Sequence, residues 1–216
     1  MHSEFAKIGS IDIAPLMLEV SSQPFLWDKN PLWLSKWGPH HEMQTLVIRT
    51  RDESEFVQSG RWSEFADAGF NDWYLTSDYI PSAREIALDI MAKVRGEHLG
   101  GILIFKVEPG RQVFTHSDKA WASEFYDKYS VCLQSNPRAA TAFDTSRMVQ
   151  RPGDVHQFEN LTPHSFVNEG DEAHISMVVS IRTDRGKRVP WSPEGWSIDD
   201  GRPPVPEDFQ FSRKKA

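Results

Sequence analysis

The chain reads as a mainly β fold with flanking helices, built on an all-β sandwich or barrel. Three observations predict this. Short apolar runs recur after Gly101, turn signals separate them, and one segment before them carries helical spacing instead. At 216 residues the chain fits a single domain. Its expected parts are an N-terminal wrapping segment with a buttress helix (1–100), a β core (101–184) and an irregular tail (185–216).

Residues 1–43 are rich in Pro, Trp and His and hold little periodicity, so they read as loops and short elements around a core. Gln44–Thr50 alternates as a strand does. Ser82-x-x-Glu85 is a capping-box pattern, and Ile86, Ile90, Met91 and Val94 then recur on one helical face, with Gly96 as the stop. Strands are expected at Gly101–Val107, Arg111–His116, Tyr129–Gln134, Arg147–Gln150, Val155–Phe158, His164–Asn168 and His174–Arg182. Glu108-Pro109-Gly110, Asn136-Pro137, Pro152-Gly153-Asp154 and Asn168-Glu169-Gly170-Asp171 supply turns between them. In the last strand, alternation gives Ile175, Met177, Val179 and Ile181 to a core face and His174, Ser176, Ser180 and Arg182 to the other. From Val189 onward, five prolines and two tryptophans describe a non-regular tail.

A single cysteine, Cys132, excludes a disulfide within the chain and leaves little room for a Cys-based zinc site; within the apolar run YSVCLQ it reads as core. No apolar run reaches membrane-spanning length, and the first residues lack a secretory pattern, so the expectation is a cytoplasmic protein with no membrane partner. A formal net charge of −7 argues against a nucleic-acid partner, which needs a basic surface. The basic run Arg213-Lys214-Lys215 is read as a frayed end. Trp27, Trp33, Trp37, Trp62 and Trp73 are read as packing residues.

Chemistry concentrates in Thr115-His116-Ser117-Asp118. Residues i and i+2 of a strand point to one face, so an imidazole and a carboxylate can reach one metal from a single strand end. His164, leading into a later strand, can supply a third ligand. Two His and one carboxylate occupy one face of an octahedron and leave the opposite face open. His-x-Asp alone is a weak pattern, and the residues taken bare leave open whether these are ligands or surface turn residues.

The flanking motifs narrow this. KVEPGRQVFTHSD, KYSVCLQSN and RPGDVHQFENLTPHSFVNEGDEAHISMVVSIRTD occur in order within residues 101–184. This stretch resembles the aspartyl/asparaginyl β-hydroxylase-like branch of the 2-oxoglutarate/Fe(II) oxygenases. A Pro-Gly turn precedes the strand ending in the first His, and a Gly-Asp turn precedes the distal His. A His-x-x-x-Asn-x-Gly segment and a long final strand follow. The resemblance implies a double-stranded β-helix (a jelly roll, cupin-like) that uses Fe(II), 2-oxoglutarate and dioxygen. It implies His116, Asp118 and His164 as metal ligands and catalytic centre. The substrate expected is a small molecule or a peptide side chain.

The same resemblance expects an Arg for the distal carboxylate of 2-oxoglutarate at the start of the final strand, where this chain carries His174. An imidazole holds a carboxylate less well than an Arg fork does. Two replacements are in reach. Lys128 stands where the family carries a basic residue that meets the cosubstrate, and Ser130 is grouped with it. Arg182 shares the His174 face of the last strand, with a salt-bridged strand end as its other reading. His156 and Arg49 are expected as substrate contacts, while His40 and His41 read as loop residues. Two other classes remain open: a cupin-like metalloprotein with non-oxidative chemistry, and an inactive β-sandwich that binds a partner.

Overall fold

The structure is a computed structural model, and it describes residues 4–27, 38–50, 71–118, 123 and 125–183. The expected C-terminal tail, the basic run at its end, and Trp33, Trp37 and Trp62 lie outside the described residues. In chain order the strands are β1 (Phe5–Ser10), β2 (Gln44–Thr50), β3 (Asp72–Trp73), β4 (His98–Val107), β5 (Gln112–His116), β6 (Asp127–Gln134), β7 (Ala139–Phe143), β8 (Arg147–Met148), β9 (Asp154–Phe158), β10 (His164–Asn168) and β11 (His174–Arg182). The helices are α1 (Ala14–Ser22), α2 (Thr76–Tyr79) and α3 (Pro81–Lys93).

All pairings are antiparallel, in a seven-stranded sheet ordered β1-β9-β6-β11-β4-β2-β3 and a four-stranded sheet ordered β5-β10-β7-β8. From β4 onward the chain crosses repeatedly between the sheets: β4, β6, β9 and β11 lie in the large one, and β5, β7, β8 and β10 in the small one. That winding is the double-stranded β-helix.

The alternation of β11 sorts its two faces as the sequence predicts. Ile175, Met177, Val179 and Ile181 join the main core. Leu46, Ile48, Ile102, Ile104, Val131 and Val155 join them from neighbouring strands, against Leu16 and Val20 of α1 and Ala83, Ile86, Ala87 and Ile90 of α3. The largest core therefore lies between the large sheet and its helices. The opposite face of that sheet is left to look into the barrel.

Helix α3 departs from its sequence signature at both ends. It starts at Pro81, so Ser82 is inside the first turn and makes no capping box. Glu19 of α1 takes over: its carboxylate accepts from the Ser82 backbone N–H at 3.0 Å and from the Ser82 hydroxyl at 2.7 Å. A carboxylate from another helix thus satisfies an orphan donor and sits at the positive end of the dipole. At the other end the left-handed residue is Arg95 (φ 56), not Gly96. Gly96 N donates to Met91 O and Arg95 N to Ala92 O, the paired bonds of a Schellman close.

Five elements were not legible, the short β3 and α2 among them. β1 is a short edge strand containing Ala, Gly and Ser, α1 has only nine residues, and the small side chains of β7 (AATAF) carry no clear period. Among the described residues no helix is long and apolar enough to cross a membrane. Trp27 packs against the main core with Lys106 over its ring, and Trp73 lies between the guanidinium groups of Arg49 and Arg84.

Candidate metal centre

The end of β5 and the start of β10 are paired, with His116 opposite His164 in register. Their rings stand 4.4 Å apart between centroids. Asp118 follows β5, its backbone N–H donating to Asn160 O at 3.0 Å in the segment that leads to β10. His116, Asp118 and His164 each offer one ligand atom within 4.8 Å of the others.

Both imidazoles are locked in one tautomer. His116 Nδ1 lies 2.8 Å from Phe114 O, and His164 Nδ1 lies 2.9 Å from Thr162 O. A carbonyl only accepts, so each Nδ1 carries the hydrogen and each Nε2 presents a lone pair. That is the outer support metal-ligating histidines require. Asn160 Nδ2 donates to Asp118 Oδ2 at 3.2 Å, which leaves Oδ1 directed at the histidines. His116 Nε2 and Asp118 Oδ1 are 3.7 Å apart, too far for a hydrogen bond. Two donors each about 2.1 Å from one ion and at right angles to each other stand about 3 Å apart, so the three must draw together to hold an ion. Burial lowers the His164 pKa, which keeps the ring neutral and ready to ligate. The donor set suits a divalent ion, iron among them.

The cluster opens into a cavity of about 300 Å³ between the two sheets. Lys128 and Ser130 of β6 and His174, Ser176 and Ser180 of β11 line it. Lys128 pairs with Ser180 in register, and its Nζ donates to the Ser180 hydroxyl at 3.0 Å. Phe158, opposite Lys128 on the other side, comes within 6.0 Å of the His164 ring. Lys128 therefore belongs to the metal end. Among the described residues lining the cavity it is the one Lys or Arg. Ser130 donates to Gln150 Oε1 at 3.0 Å, and Gln150 Nε2 donates to His156 Nδ1 at 3.1 Å.

His174 lies 4% exposed at the opposite end. Its Nδ1 is 3.0 Å from Ser135 Oγ, and its ring is 4.4 Å from that of Phe166. Burial lowers its pKa to about 4, so near neutral pH it is an uncharged hydrogen-bonding group.

Three expected contacts are placed elsewhere. Arg182 pairs with Glu97 at 2.9 Å and covers the Phe125 ring at 4.6 Å. Arg49 lies over Trp73 and donates to Leu99 O at 3.4 Å. His156 is buried against Phe5 and is hydrogen-bonded to Gln150, which lines the cavity. None of the three lines the cavity. Period-two alternation names a strand face, but it does not say how far along that face the cavity runs.

His40 moves the other way. Read as a loop residue, it lines the cavity and meets His116 edge-to-face at 4.6 Å. The turn holding it is pinned on β5: Phe114 N donates to Pro39 O, Gln112 N donates to Glu42, and His41 stacks on Phe114. Burial first, then the neighbouring His116, lower its pKa to about 4. The only sequence signal for it is the paired His40-His41 after a proline.

No family model matches the chain, and no curated protein matches it. Among solved structures it is similar to an oxidoreductase of the 2OG-Fe(II) oxygenase family from Burkholderia pseudomallei. That match has 10% identity over 79% of each chain and a TM-score of 0.49. It is also similar to a cupin domain from Bordetella pertussis (12% identity, 40% of this chain and 84% of that one, TM-score 0.32). A cupin 2 conserved barrel domain protein from Salinispora arenicola is similar over 40% of this chain and 64% of its own, at 21% identity and a TM-score of 0.30. The fold assignment rests on the strand order itself.

Proposed function

We propose that this chain is a non-haem Fe(II), 2-oxoglutarate-dependent oxygenase that hydroxylates a C–H bond of an amino acid, a peptide side chain or a related small molecule. The observation that carries the reading is the two-His, one-carboxylate set, with both Nδ1 atoms capped by carbonyls and the open side facing a cavity. His116, Asp118 and His164 would hold the metal. When bound, iron with 2-oxoglutarate and dioxygen supplies the oxidising power to replace an unreactive hydrogen by hydroxyl.

The chain's own part is placement and exclusion of water. Asn160 keeps Asp118 turned toward the two rings. Lys128 would receive the distal carboxylate of 2-oxoglutarate, with the Ser180 hydroxyl already on its Nζ. A charge-assisted contact of this kind is the strong type. His174 is uncharged and stands at the far end, so it does not replace the Arg that the resemblance expects.

Anaerobic reconstitution with Fe(II), followed by 2-oxoglutarate, tests the reading. The expected result is a weak visible metal-to-ligand band, and substrate-dependent succinate once air is admitted. Iron binding without the band favours a cupin-like metalloprotein with other chemistry, since the same donors accept Zn, Mn or Ni. Failure to bind any divalent metal leaves a sandwich that serves as a binding module.

A further inference from the structure

The cavity extends about 7 to 10 Å past the metal ligands along the small sheet, where Phe166 and Val113 stand two and three residues from His164 and His116, and its far end has a different character. Ser180, the partner of Lys128, and His174 are six residues apart on β11, about 20 Å of strand. On the small sheet, Phe166 lies two residues beyond His164 and pairs with Val113. At this end Met43, Val107 and Val113 form a buried apolar cluster, with Phe105 and Phe166 packed against it. All five also line the cavity. The loops beneath are tied shut: Asn168 Nδ2 donates to Val107 O and Glu172 O, and Asn136 Nδ2 donates to Asn168 Oδ1.

His174, with its Nδ1 3.0 Å from Ser135 Oγ, and Ser176, paired with Phe105, are the polar groups of β11 set against these apolar walls. A carboxylate placed there would lose its hydration against five apolar side chains, while the one Lys or Arg among the described lining residues, Lys128, stands at the metal end. Burying an unpaired charge costs far more than burying a carbon surface. An apolar or aromatic group loses nothing by entering, and a single hydroxyl or amide on it would meet the His174 imidazole.

We infer that this end of the cavity is a binding subsite for the uncharged, aromatic or branched apolar arm of the substrate, anchored by one hydrogen bond to His174. This rests on the oxygenase reading only for the word substrate; the subsite is a property of the apo cavity. The reading narrows the substrate class to molecules with an apolar arm that reaches away from the atom attacked at the metal end.

The test needs neither metal nor cosubstrate. The methionines carry 13C-methyl labels, Met43 is assigned by its Met43→Leu variant, and benzyl alcohol is titrated against the apo chain in parallel with glutarate. The expected result is a saturable shift of the Met43 methyl with benzyl alcohol, and affinity for glutarate at that methyl at least about tenfold weaker. Val113→Trp, which fills the subsite, should abolish the benzyl alcohol shift. Should that variant not fold, His174→Arg provides the second arm: it should reverse the order, so that glutarate moves Met43 and benzyl alcohol no longer does. Absence of a benzyl alcohol shift in the unmodified chain overturns the inference, and so does a glutarate shift of equal affinity. Either outcome leaves the iron band unaffected, so failure of the subsite and failure of the oxygenase reading stay separate.

Discussion

At one end of the cavity stand His116, Asp118, His164 and Lys128, each with a polar neighbour that fixes its direction. At the other end His174 stands among Met43, Phe105, Val107, Val113 and Phe166. Both ends are walled by the same two sheets and both carry a buried histidine. At the metal end, carbonyl acceptors turn imidazole lone pairs toward a shared point. At the far end, burial keeps the imidazole neutral, with Ser135 Oγ rather than a second ligand as its polar neighbour. A histidine in a jelly roll is thus a ligand or an anchor according to what surrounds it, and its position on a strand face does not distinguish the two.

The sharpest break comes from His164→Ala. It should lower affinity for Fe(II), read by metal titration, by more than about a hundredfold and remove succinate formation. Unchanged iron binding would dissolve the distinction between the two ends. Next, Lys128→Met should weaken 2-oxoglutarate binding to the iron-loaded protein by about ten- to a hundredfold, while His174→Gln should leave it within about twofold. The reverse order would assign the cosubstrate carboxylate to the far end. Asn160→Ala leaves all three ligands in place but frees the Asp118 carboxylate. Iron affinity should fall by about tenfold, with retained folding checked by circular dichroism.

Acid provides a smaller and graded test. The His174 pKa is lowered to about 4 in the fold, against about 6.5 in the unfolded chain. Between these values the unfolded state binds the proton and the folded state does not, so stability falls as pH drops. The contribution is fully present above about pH 6.5 and is lost progressively toward pH 4. Thermal melts of the apo protein should therefore lose less on acidification in His174→Phe than in the unmodified chain. An equal loss in both would mean that His174 is not held neutral by its surroundings. Smallest is Arg182→Gln, which breaks a partly exposed ion pair with Glu97. It should cost about 1 to 3 kcal/mol of stability and leave 2-oxoglutarate affinity unchanged.

What could be read from the chain alone was whatever depends on short-range order. The β11 alternation, the turn signals and the i, i+2 spacing of His116 and Asp118 are local. A strand's two faces follow from backbone geometry wherever that strand ends up. So the barrel class was legible, and so was a His116–Asp118 pair able to share a metal, while the three-ligand set was what the family resemblance implied. Tertiary structure decided which polar residue on a given face reaches the cavity. It sent Arg182 to Glu97 and Arg49 to Trp73, and it set His156 behind Gln150. It also capped α3 with Glu19 rather than by a box of its own residues, and brought His40 from an aperiodic turn onto His116. Apart from Gln150, six residues before His156, each partner is distant in sequence. Contacts of that kind are chosen by how the sheets and loops pack, and no spacing rule within the chain encodes them.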